Sequence, residues 1–492
     1  MTSSNLLALA PWIALLAAPL AVLAAITLRR SHLASALTAG AGLAGSAACV
    51  PFAFPLAPRQ VTSLFVVDRY ALFYTGLLAC ASLAAVALSY GYLKKREEQP
   101  EEFYILLLVA TLGSSVLVAS SHFASFFLGF ELLSVSLYAL IAYPRRARPP
   151  LEAGVKYLIL AGASSAFLLF GMALLYAVTA RMDFISIAAS LRSSHGSGGI
   201  LLSAGLALFV TGVAFKLALV PFHVWTPDVY MGAPAPVTAF VATVSKGGMV
   251  AFMLRFVTEL GPGAAGGAGR LLGALSVIAV ASMVVGNLAA LLQTNVKRIL
   301  AYSSIAHLGY LLVAILAGGS LAQQAVAYYL AAYFVTTLGA FGVVIVLSSA
   351  EREAETLDDY RGLLWSRPWL ALILTASLLS LAGIPLTGGF LAKFYVFAAG
   401  VESSLWVRVV SMVINSAIAL FYYLRIVVAM FAVPPAAAEG PSIPLAAATA
   451  ATPGSGAGMV LLALTGLMVW LGVYPGPLLG LIGTTVSRLA RP

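Results

Sequence analysis

Charged residues are scarce in this chain. Asp, Glu, Lys and Arg make up only 9% of its 492 residues, whereas 61% of the residues are hydrophobic. A water-soluble protein carries roughly 25% charged residues, because its surface must face water. The charges available here would not cover such a surface, so most of the surface must face lipid. The composition therefore predicts an integral membrane protein.

Cysteine is nearly absent, and motifs for nucleotide binding are missing. Cys49 and Cys80 lie within apolar stretches without CxxC spacing, which argues against a disulfide framework, a zinc site or an iron–sulfur cluster. No GxxxxGK(S/T) phosphate loop occurs, so the chain is not expected to hydrolyse ATP. The glycine-rich runs at 193–199 and 261–269 follow no strand pattern and link apolar segments. We therefore expect no cofactor and no metal in this chain.

Long apolar runs recur along the whole sequence. Roughly 20 apolar residues cross the hydrocarbon core as a helix, and on this criterion the chain has about 14 transmembrane helices. They lie near 5–28, 33–54, 70–92, 103–120, 123–142, 153–178, 200–225, 236–260, 271–292, 298–318, 323–349, 368–400, 403–432 and 458–475. The first run is too long for the core of a signal peptide and has no basic residue before it, so it is expected to be a true span. Pro221 and Pro385 are expected to break two of these helices.

A weak internal repeat divides the chain. Residues 152–167 match 324–339 in a Tyr-Leu pair and a Ser-Ser/Thr-Thr pair, and LALVPF at 217–222 resembles LAGIPL at 381–386. The two offsets agree roughly and cover about five spans, and an odd number of spans inverts the second copy. The sequence therefore predicts an all-α fold with two inverted five-helix repeats. The expected divisions are an N-terminal three-helix segment (1–100), a first repeat (101–260), a second repeat (261–435) and a C-terminal loop with the last helix (436–492).

Basic residues indicate how the chain lies in the membrane. With the N-terminus outside, 15 Lys and Arg residues fall in cytoplasmic loops and adjoining helix ends, and 9 fall on the outer side, among them Arg255, Arg488 and Arg491. Cytoplasmic loops carry an excess of Lys and Arg, so this bias predicts both termini on the outer side of a bacterial inner membrane. The remaining three basic residues, Lys216, Lys246 and Lys393, lie within apolar spans.

Glu131 also lies in the middle of an apolar span. Placing one ion at the bilayer centre costs roughly 2.5–3.5 kcal/mol on insertion scales, so four such residues indicate a function. Burial favours the neutral form of each group and a nearby opposite charge favours the ionised form, so a buried Glu–Lys pair can exchange protons. We predict a proton relay from the pair Glu131 and Lys216, through Lys246 as central carrier, to Lys393 near the outlet. The alternative is a static ion pair, or static buried charges, that fix helix packing.

Two further positions are ambiguous in the sequence. His307 is flanked by apolar residues and could bridge the two halves of the relay, because histidine titrates near neutral pH. A histidine hydrogen-bonded between helices is the alternative. Lys297 and Arg298 open the same span, and we expect them to form a solvated cytoplasmic helix end.

Polar connectors offer weaker candidates. His223 and Asp228 follow the break at Pro221 and could line the mouth of a proton path or simply belong to a capped loop. Broken helices leave backbone groups unpaired, which is tolerated in a membrane only beside protein or water, so hydration is expected near Pro221 and Pro385. The charged stretch 351–367 is expected to be a solvated cytoplasmic loop that contacts neighbouring subunits.

Several of these motifs resemble the proton-antiporter family that respiratory complex I shares with multisubunit cation/proton antiporters. The most specific is FKLALVPFHVWTPDVYMGAPAPVTAFVATVSKGGMVAF at 215–252, supported by NVKRILAYSSIAHLGY and GIPLTGGFLAKFYVF. The resemblance covers nearly the whole chain. It implies that Glu131, Lys216, Lys246 and Lys393 match the family's proton-path residues. Lys393 in the broken twelfth helix, and the absence of a long lateral helix, match the N-type subunits of complex I better than the M or L types.

This resemblance implies a function as part of a larger complex. The chain would move protons outward as a translocase subunit of NADH:quinone oxidoreductase, and the NAD, FMN, iron–sulfur and quinone sites would lie on partner subunits of the complex. Its partners would be other membrane-arm subunits, the lipid bilayer and protons, with no nucleic acid. Two alternatives stay open: a subunit of a multisubunit cation/proton antiporter, and a non-conducting structural subunit of the membrane arm.

Overall fold

The computed structural model describes residues 3–193, 199–261, 266–433 and 455–486. This part of the chain is mostly helical and contains one short antiparallel hairpin, β1 (Arg59–Thr62) and β2 (Phe65–Val67). The helices in chain order are α1 (Ser3–Ala8), α2 (Ala10–Leu28), α3 (His32–Ala53), α4 (Arg69–Arg96), α5 (Glu101–Ala119), α6 (Phe123–Ile141), α7 (Arg148–Thr179), α8 (Phe184–Ser193), α9 (Gly199–Leu217), α10 (Trp225–Gly232), α11 (Ala235–Phe240), α12 (Lys246–Leu260), α13 (Gly266–Leu291), α14 (Val296–Ala317), α15 (Gly319–Leu347), α16 (Leu363–Ser366), α17 (Pro368–Ala382), α18 (Gly388–Glu402), α19 (Trp406–Phe431), α20 (Ser455–Val473) and α21 (Gly476–Thr485). Two 3-10 turns, Phe54–Leu56 and Leu357–Tyr360, and one π-helical turn, Val241–Ser245, complete the regular structure.

The predicted spans are confirmed. Within the described residues, 13 helical segments are long and apolar enough to cross a bilayer, with α11, the π-turn and α12 forming one of them. The short helices α17 and α18, of 15 residues each, together supply a further span. Each of the 14 predicted segments coincides with one of these spans. The outer faces of several carry exposed large apolar side chains, among them Leu37, Phe170, Val277, Val407 and Leu462, as expected for contact with lipid.

Both predicted helix breaks are present. Helix α9 ends at Leu217, residues 218–224 are not helical, and α10 resumes at Trp225. Helix α17 ends at Ala382, where Gly383 adopts a left-handed conformation with φ of 89°, and α18 begins at Gly388. Proline cannot donate a backbone hydrogen bond, which accounts for an interruption at each site. The sequence did not reveal the third irregularity, the π-turn immediately before Lys246, although such turns often mark functional sites.

Helix packing follows the same order in both halves of the bundle. Helix α5 packs along α6 as α13 packs along α14, and α7 packs along α9 as α15 packs along α17 and α18. This correspondence supports the two predicted five-helix repeats, for which we retain the limits 101–260 and 261–435 as a proposal. The span that contains α12 is completely buried, and α14 and α15 are nearly so, which places these three at the centre of the bundle.

Some predicted features lie outside the described residues. These are most of the C-terminal loop expected after 436, the basic residues Arg488 and Arg491, and the middle of the two glycine-rich runs.

Candidate functional site

Lys216 lies in the last turn of α9, directly before the helix break. Its Nζ donates hydrogen bonds to Ser134 Oγ (2.8 Å) and to the hydroxyl of Tyr157 (3.2 Å). It also lies 5.1 Å from the centre of the Phe130 ring, a favourable contact for a cation. Three neutral groups therefore surround this buried amine.

Glu131 lies on α6, one turn before Ser134. It forms no ion pair with Lys216 among the described residues, and its Oε1 is buried without a hydrogen-bond partner. The expected pair is thus not in direct contact. Because residues three apart share one face of a helix, Ser134 lies next to Glu131 and supplies the hydroxyl that contacts Lys216.

Lys246 begins α12, just after the π-turn, and is completely surrounded by protein. Its Nζ donates to Ser304 Oγ (2.7 Å), which also accepts a hydrogen bond from Tyr333 (2.9 Å). The Tyr230 ring centre lies 5.3 Å from the same amine. Here too, a hydroxyl from a neighbouring helix is the closest polar partner.

His307 lies on α14, three residues after Ser304. Its Nδ1 is 2.5 Å from the Tyr329 hydroxyl and its Nε2 is 3.2 Å from that of Tyr423. The ring also packs against Tyr333, with 5.3 Å between ring centres. The contact with Tyr333 connects His307 to the surroundings of Lys246, as the predicted bridge between the two halves of the relay requires. The hydrogen bonds to the two tyrosine hydroxyls fit the alternative equally well, a histidine that is hydrogen-bonded between helices.

Lys393 lies in α18, beyond the second helix break. Its Nζ donates to Ser416 Oγ (2.7 Å) and to the carbonyl oxygen of Ala382 (2.8 Å), the last residue of α17. Carbonyls at a helix C-terminus carry partial negative charge and stabilise a nearby cation. A Cβ added to Gly383 would lie 2.9 Å from Lys393 Cδ, so the glycine makes room for this side chain. The break at Pro385 thus exposes a carbonyl that holds the lysine.

The three buried lysines share one type of environment. Each donates to a serine hydroxyl on a neighbouring helix (Ser134, Ser304 or Ser416), and none is paired with a carboxylate in the part of the chain that the structure covers. A hydroxyl both accepts and donates, so it can pass a proton as well as hold an amine. The sequence did not single out these serines, because serine is common in apolar helices and its spacing carries no distinct signal.

Lys297 is not the solvated residue that the sequence predicted. Its side chain is 0% exposed, and its Nζ forms an ion pair with Glu353 (2.5 Å) while donating to the carbonyls of Met231 and Ala233. The charged stretch 351–367 is likewise not simply a solvated loop, since Glu353 is only 9% exposed and turns inward. The prediction failed because Lys297 lies in the first turn of a helix that follows a loop, a position that is usually exposed to water.

Arg298 agrees better with the predicted solvated helix end, since its side chain is partly exposed and pairs with Asp228 of the polar connector. Arg298 donates to Asp228 Oδ1 (2.7 Å), and Lys156 approaches the other oxygen (3.4 Å). Burial acts to raise the pKa of Asp228, but the hydrogen bonds from Arg298 and Lys156 outweigh it and leave the pKa below its usual value. Partial burial lowers the pKa of His223. Ion pairs to Arg298 and Lys156 therefore hold Asp228 and this connector in place.

One buried ion pair was missed entirely. Arg255, assigned from the sequence to the outer side, donates through both Nη atoms to Asp68 at 2.8 and 2.9 Å and joins α12 to the start of α4. The sequence did not indicate this ion pair because the partners are 187 residues apart and each lies near the end of an apolar run.

Comparisons with known proteins agree with this architecture. The family described as NADH:quinone oxidoreductase/Mrp antiporter, TM, matches residues 120–419. The chain is similar to NADH-quinone oxidoreductase subunit N of Ectopseudomonas mendocina (strain ymp), with 46% identity over 98% of this chain and 96% of that one. It also resembles a chain of respiratory complex I from Thermus thermophilus with bound aureothin, at 32% identity and a TM-score of 0.78, covering 96% of this chain and 98% of that one. The fold alone is shared with a chain of the Mrp complex from Dietzia sp. DQ12-45-1b, at 22% identity and a TM-score of 0.84, covering 100% and 98%.

Proposed function

Because this chain belongs to the NADH:quinone oxidoreductase/Mrp antiporter family, among relatives named NADH-quinone oxidoreductase subunit N, we propose that it is the subunit through which such a complex carries protons across the bacterial inner membrane. The chain is a multi-pass membrane subunit. The oxidation of NADH and the reduction of quinone would occur on partner subunits that hold NAD, FMN, iron–sulfur clusters and quinone.

The observation that carries this proposal is the presence of three buried lysines within the bundle. Lys216, Lys246 and Lys393 come from three different spans, and each contacts a hydroxyl. An amine whose partners are neutral can lose its proton without leaving a buried carboxylate uncompensated, whereas an amine in a buried ion pair can do so only if its carboxylate partner takes up a proton in turn. The environment therefore favours a carrier over a static charge.

The proposed path begins at Glu131. A change of charge in a neighbouring subunit would alter the charge on Glu131 and, through Ser134, the protonation of Lys216. A proton would then pass to Lys246, across the tyrosine-lined surroundings of His307, and on to Lys393. The basic-residue bias supports both termini on the outer side. Protons would enter from the cytoplasm and leave outside.

The decisive experiment replaces Lys216 by alanine in the assembled complex in membrane vesicles. NADH-driven proton uptake and NADH–quinone electron transfer are measured together, with Lys95→Ala, at the exposed end of α4, as the matched control. A marked fall in pumping, with electron transfer slowed or uncoupled, supports the relay. Wild-type rates for both reactions would show that the buried charge is structural.

Two rival functions make different predictions. A subunit of a cation/proton antiporter would not co-purify with flavin and iron–sulfur proteins, and pumping would not depend on NADH. A non-conducting structural subunit would tolerate neutralisation of all three buried lysines without loss of pumping, provided that the complex assembles.

A further inference from the structure

A cleft with several charged side chains in its wall opens at the end of the bundle where α4 ends and α14 begins. Its cavity has a volume of about 490 Å³ and is lined by Tyr92, Arg96, Glu353 and Glu355 among others. The exposed residues Glu351 and Arg352 also line it, so the cleft reaches the aqueous surface. Glu353 is thus a nearly buried carboxylate on the wall of a water-accessible space.

The carboxylate of Glu353 is held from several sides. Oε2 accepts from Lys297, and Oε1 accepts from the Ala235 N–H (3.0 Å) and from the Tyr92 hydroxyl. Arg96 lies 3.8 Å away and is the other cation that faces this group. Burial acts to raise the pKa of Glu353, but the charge of Lys297 and these hydrogen bonds outweigh burial and leave the pKa below its usual value.

Lys297 connects this carboxylate to the interior. Seven residues separate Lys297 from Ser304 on α14, which puts both on nearly the same face of the helix and about 10 Å apart along its axis. Ser304 is the hydroxyl that contacts Lys246. On the other side, the Met231 carbonyl accepts from Lys297, and the adjacent Tyr230 ring lies 5.3 Å from Lys246 Nζ.

Tyr230 supplies a polar group within this interval. Its hydroxyl is buried and faces Ser304, the serine that contacts Lys246. A hydroxyl both accepts and donates, so it can pass a proton as well as hold a charged group. Helix α14, which carries Lys297, and the end of α10, which accepts a hydrogen bond from it, thus both supply groups that contact Lys246.

We propose that Glu353 and Lys297 form the proton-admitting site that recharges Lys246 from the aqueous cleft. This inference rests on the proposed function, because it assumes that Lys246 carries protons. On the predicted orientation the cleft is cytoplasmic, the side from which protons are taken up.

Recharging Lys246 would take three proton transfers. Protonated Lys297 gives one proton inward to neutral Lys246 and becomes a neutral amine. Loss of that positive charge removes the main cause that keeps the pKa of Glu353 low, so the carboxylate takes one proton from the water of the cleft. Glu353 then passes this proton to the Lys297 amine, which restores the original ion pair. One proton has moved from the cleft to Lys246.

The test uses the assembled complex in vesicles and compares Glu353→Gln with the wild type. Pumping should fall by about a hundredfold, the least expected when a positioned proton-transfer group is removed. Glu353→Asp should restore most of it, and millimolar formate should partly rescue Glu353→Ala, because the cleft is wide enough for a small acid. Asp358→Asn, on an 83% exposed side chain in the same loop, is the control and should pump normally.

A purely structural role is distinguished by the double variant Lys297→Met/Glu353→Gln. Neutral replacement of both members of a buried pair is often tolerated, so a structural role predicts recovery of assembly and pumping. The proposed role predicts assembly without pumping. Normal pumping in the double variant, or in an assembled Glu353→Gln complex, overturns the inference.

Failure of the underlying function would look different. Normal pumping in Lys246→Met would remove the proposed function itself. Lost pumping in Lys246→Met together with normal pumping in the double variant would remove only the assignment of Glu353 and Lys297.

Discussion

Removing one member of the ion pair between Asp68 and Arg255 should destabilise the bundle by several kcal/mol. The two side chains are 18% and 7% exposed, and Arg255 also packs over the Tyr70 ring at 4.8 Å. Removing one member of a buried pair leaves the other charge uncompensated and typically costs 3–5 kcal/mol. Because Asp68 retains some exposure, we expect Asp68→Asn to cost about 3 kcal/mol, near the lower end of that range.

Asp68 also caps α4, and this second role separates two variants. Its Oδ1 accepts a hydrogen bond from the Ala71 N–H (2.7 Å), which asparagine can keep and alanine cannot. Loss of a cap costs about 1 kcal/mol, so Asp68→Ala should cost about 4 kcal/mol. The charge therefore accounts for most of the effect, and the order of stability should be wild type, Asp68→Asn, Asp68→Ala.

The assay is the thermal unfolding midpoint of the detergent-purified complex, followed through a fluorescent tag on this subunit. Asp183→Ala is the matched control, because Asp183 accepts from the Ser186 N–H (2.8 Å) at the start of α8 and its loss removes a cap. If Asp68→Asn were as stable as wild type, or no less stable than Asp183→Ala, the reasoning about the buried charge would be refuted.

Three further predictions concern the site. Ser304→Ala should slow pumping about tenfold, because a hydrogen bond to a charged group such as Lys246 contributes about 1.5–3 kcal/mol; quenching of a pH-sensitive dye in vesicles measures this, and unchanged pumping would contradict it. Gly389→Ala should impair assembly, since a Cβ there would overlap the Ser380 carbonyl across the broken helix; the yield of intact complex on a native gel tests this, with normal yield as the contrary outcome. The pKa of Glu353 is lower in the folded protein, so its contribution to stability is full above its pKa of about 4.5 in the unfolded chain and declines as the pH falls below that value. The difference in unfolding midpoint between wild type and Glu353→Gln should therefore shrink below about pH 4.5, and a difference that instead grows would refute this.

Apolar runs and prolines made the membrane topology predictable. A span needs about 20 consecutive apolar residues, which is a local property, and each of the 14 predicted segments appears as a span. The breaks near Pro221 and Pro385 were predictable for a similar reason, because proline lacks the N–H that a continuous helix requires. Buried lysines such as Lys216 were visible because a charge within an apolar run is rare.

Partners that are distant in the sequence could not be predicted. The position of Lys297 in the first turn of a helix predicted a solvated side chain. Only the tertiary structure shows that Glu353, 56 residues away, contacts it. Arg255 looks like an outer-side residue until Asp68, 187 residues away, is seen beside it. A nearby opposite charge is the usual compensation for a buried one, and the sequence contains no signal for that proximity.

The sequence by itself determined that this chain is a bundle of about 14 membrane helices with four ionisable residues inside apolar spans, because hydrophobic length and isolated charges are local features. The tertiary structure alone decided what those charges contact. It separated Glu131 from direct contact with Lys216, gave each buried lysine a serine hydroxyl, and placed Glu353, paired with Lys297, on the wall of a cleft. Whether a buried charge is fixed or can move depends on its neighbours in space, and those neighbours come from helices far apart in the chain.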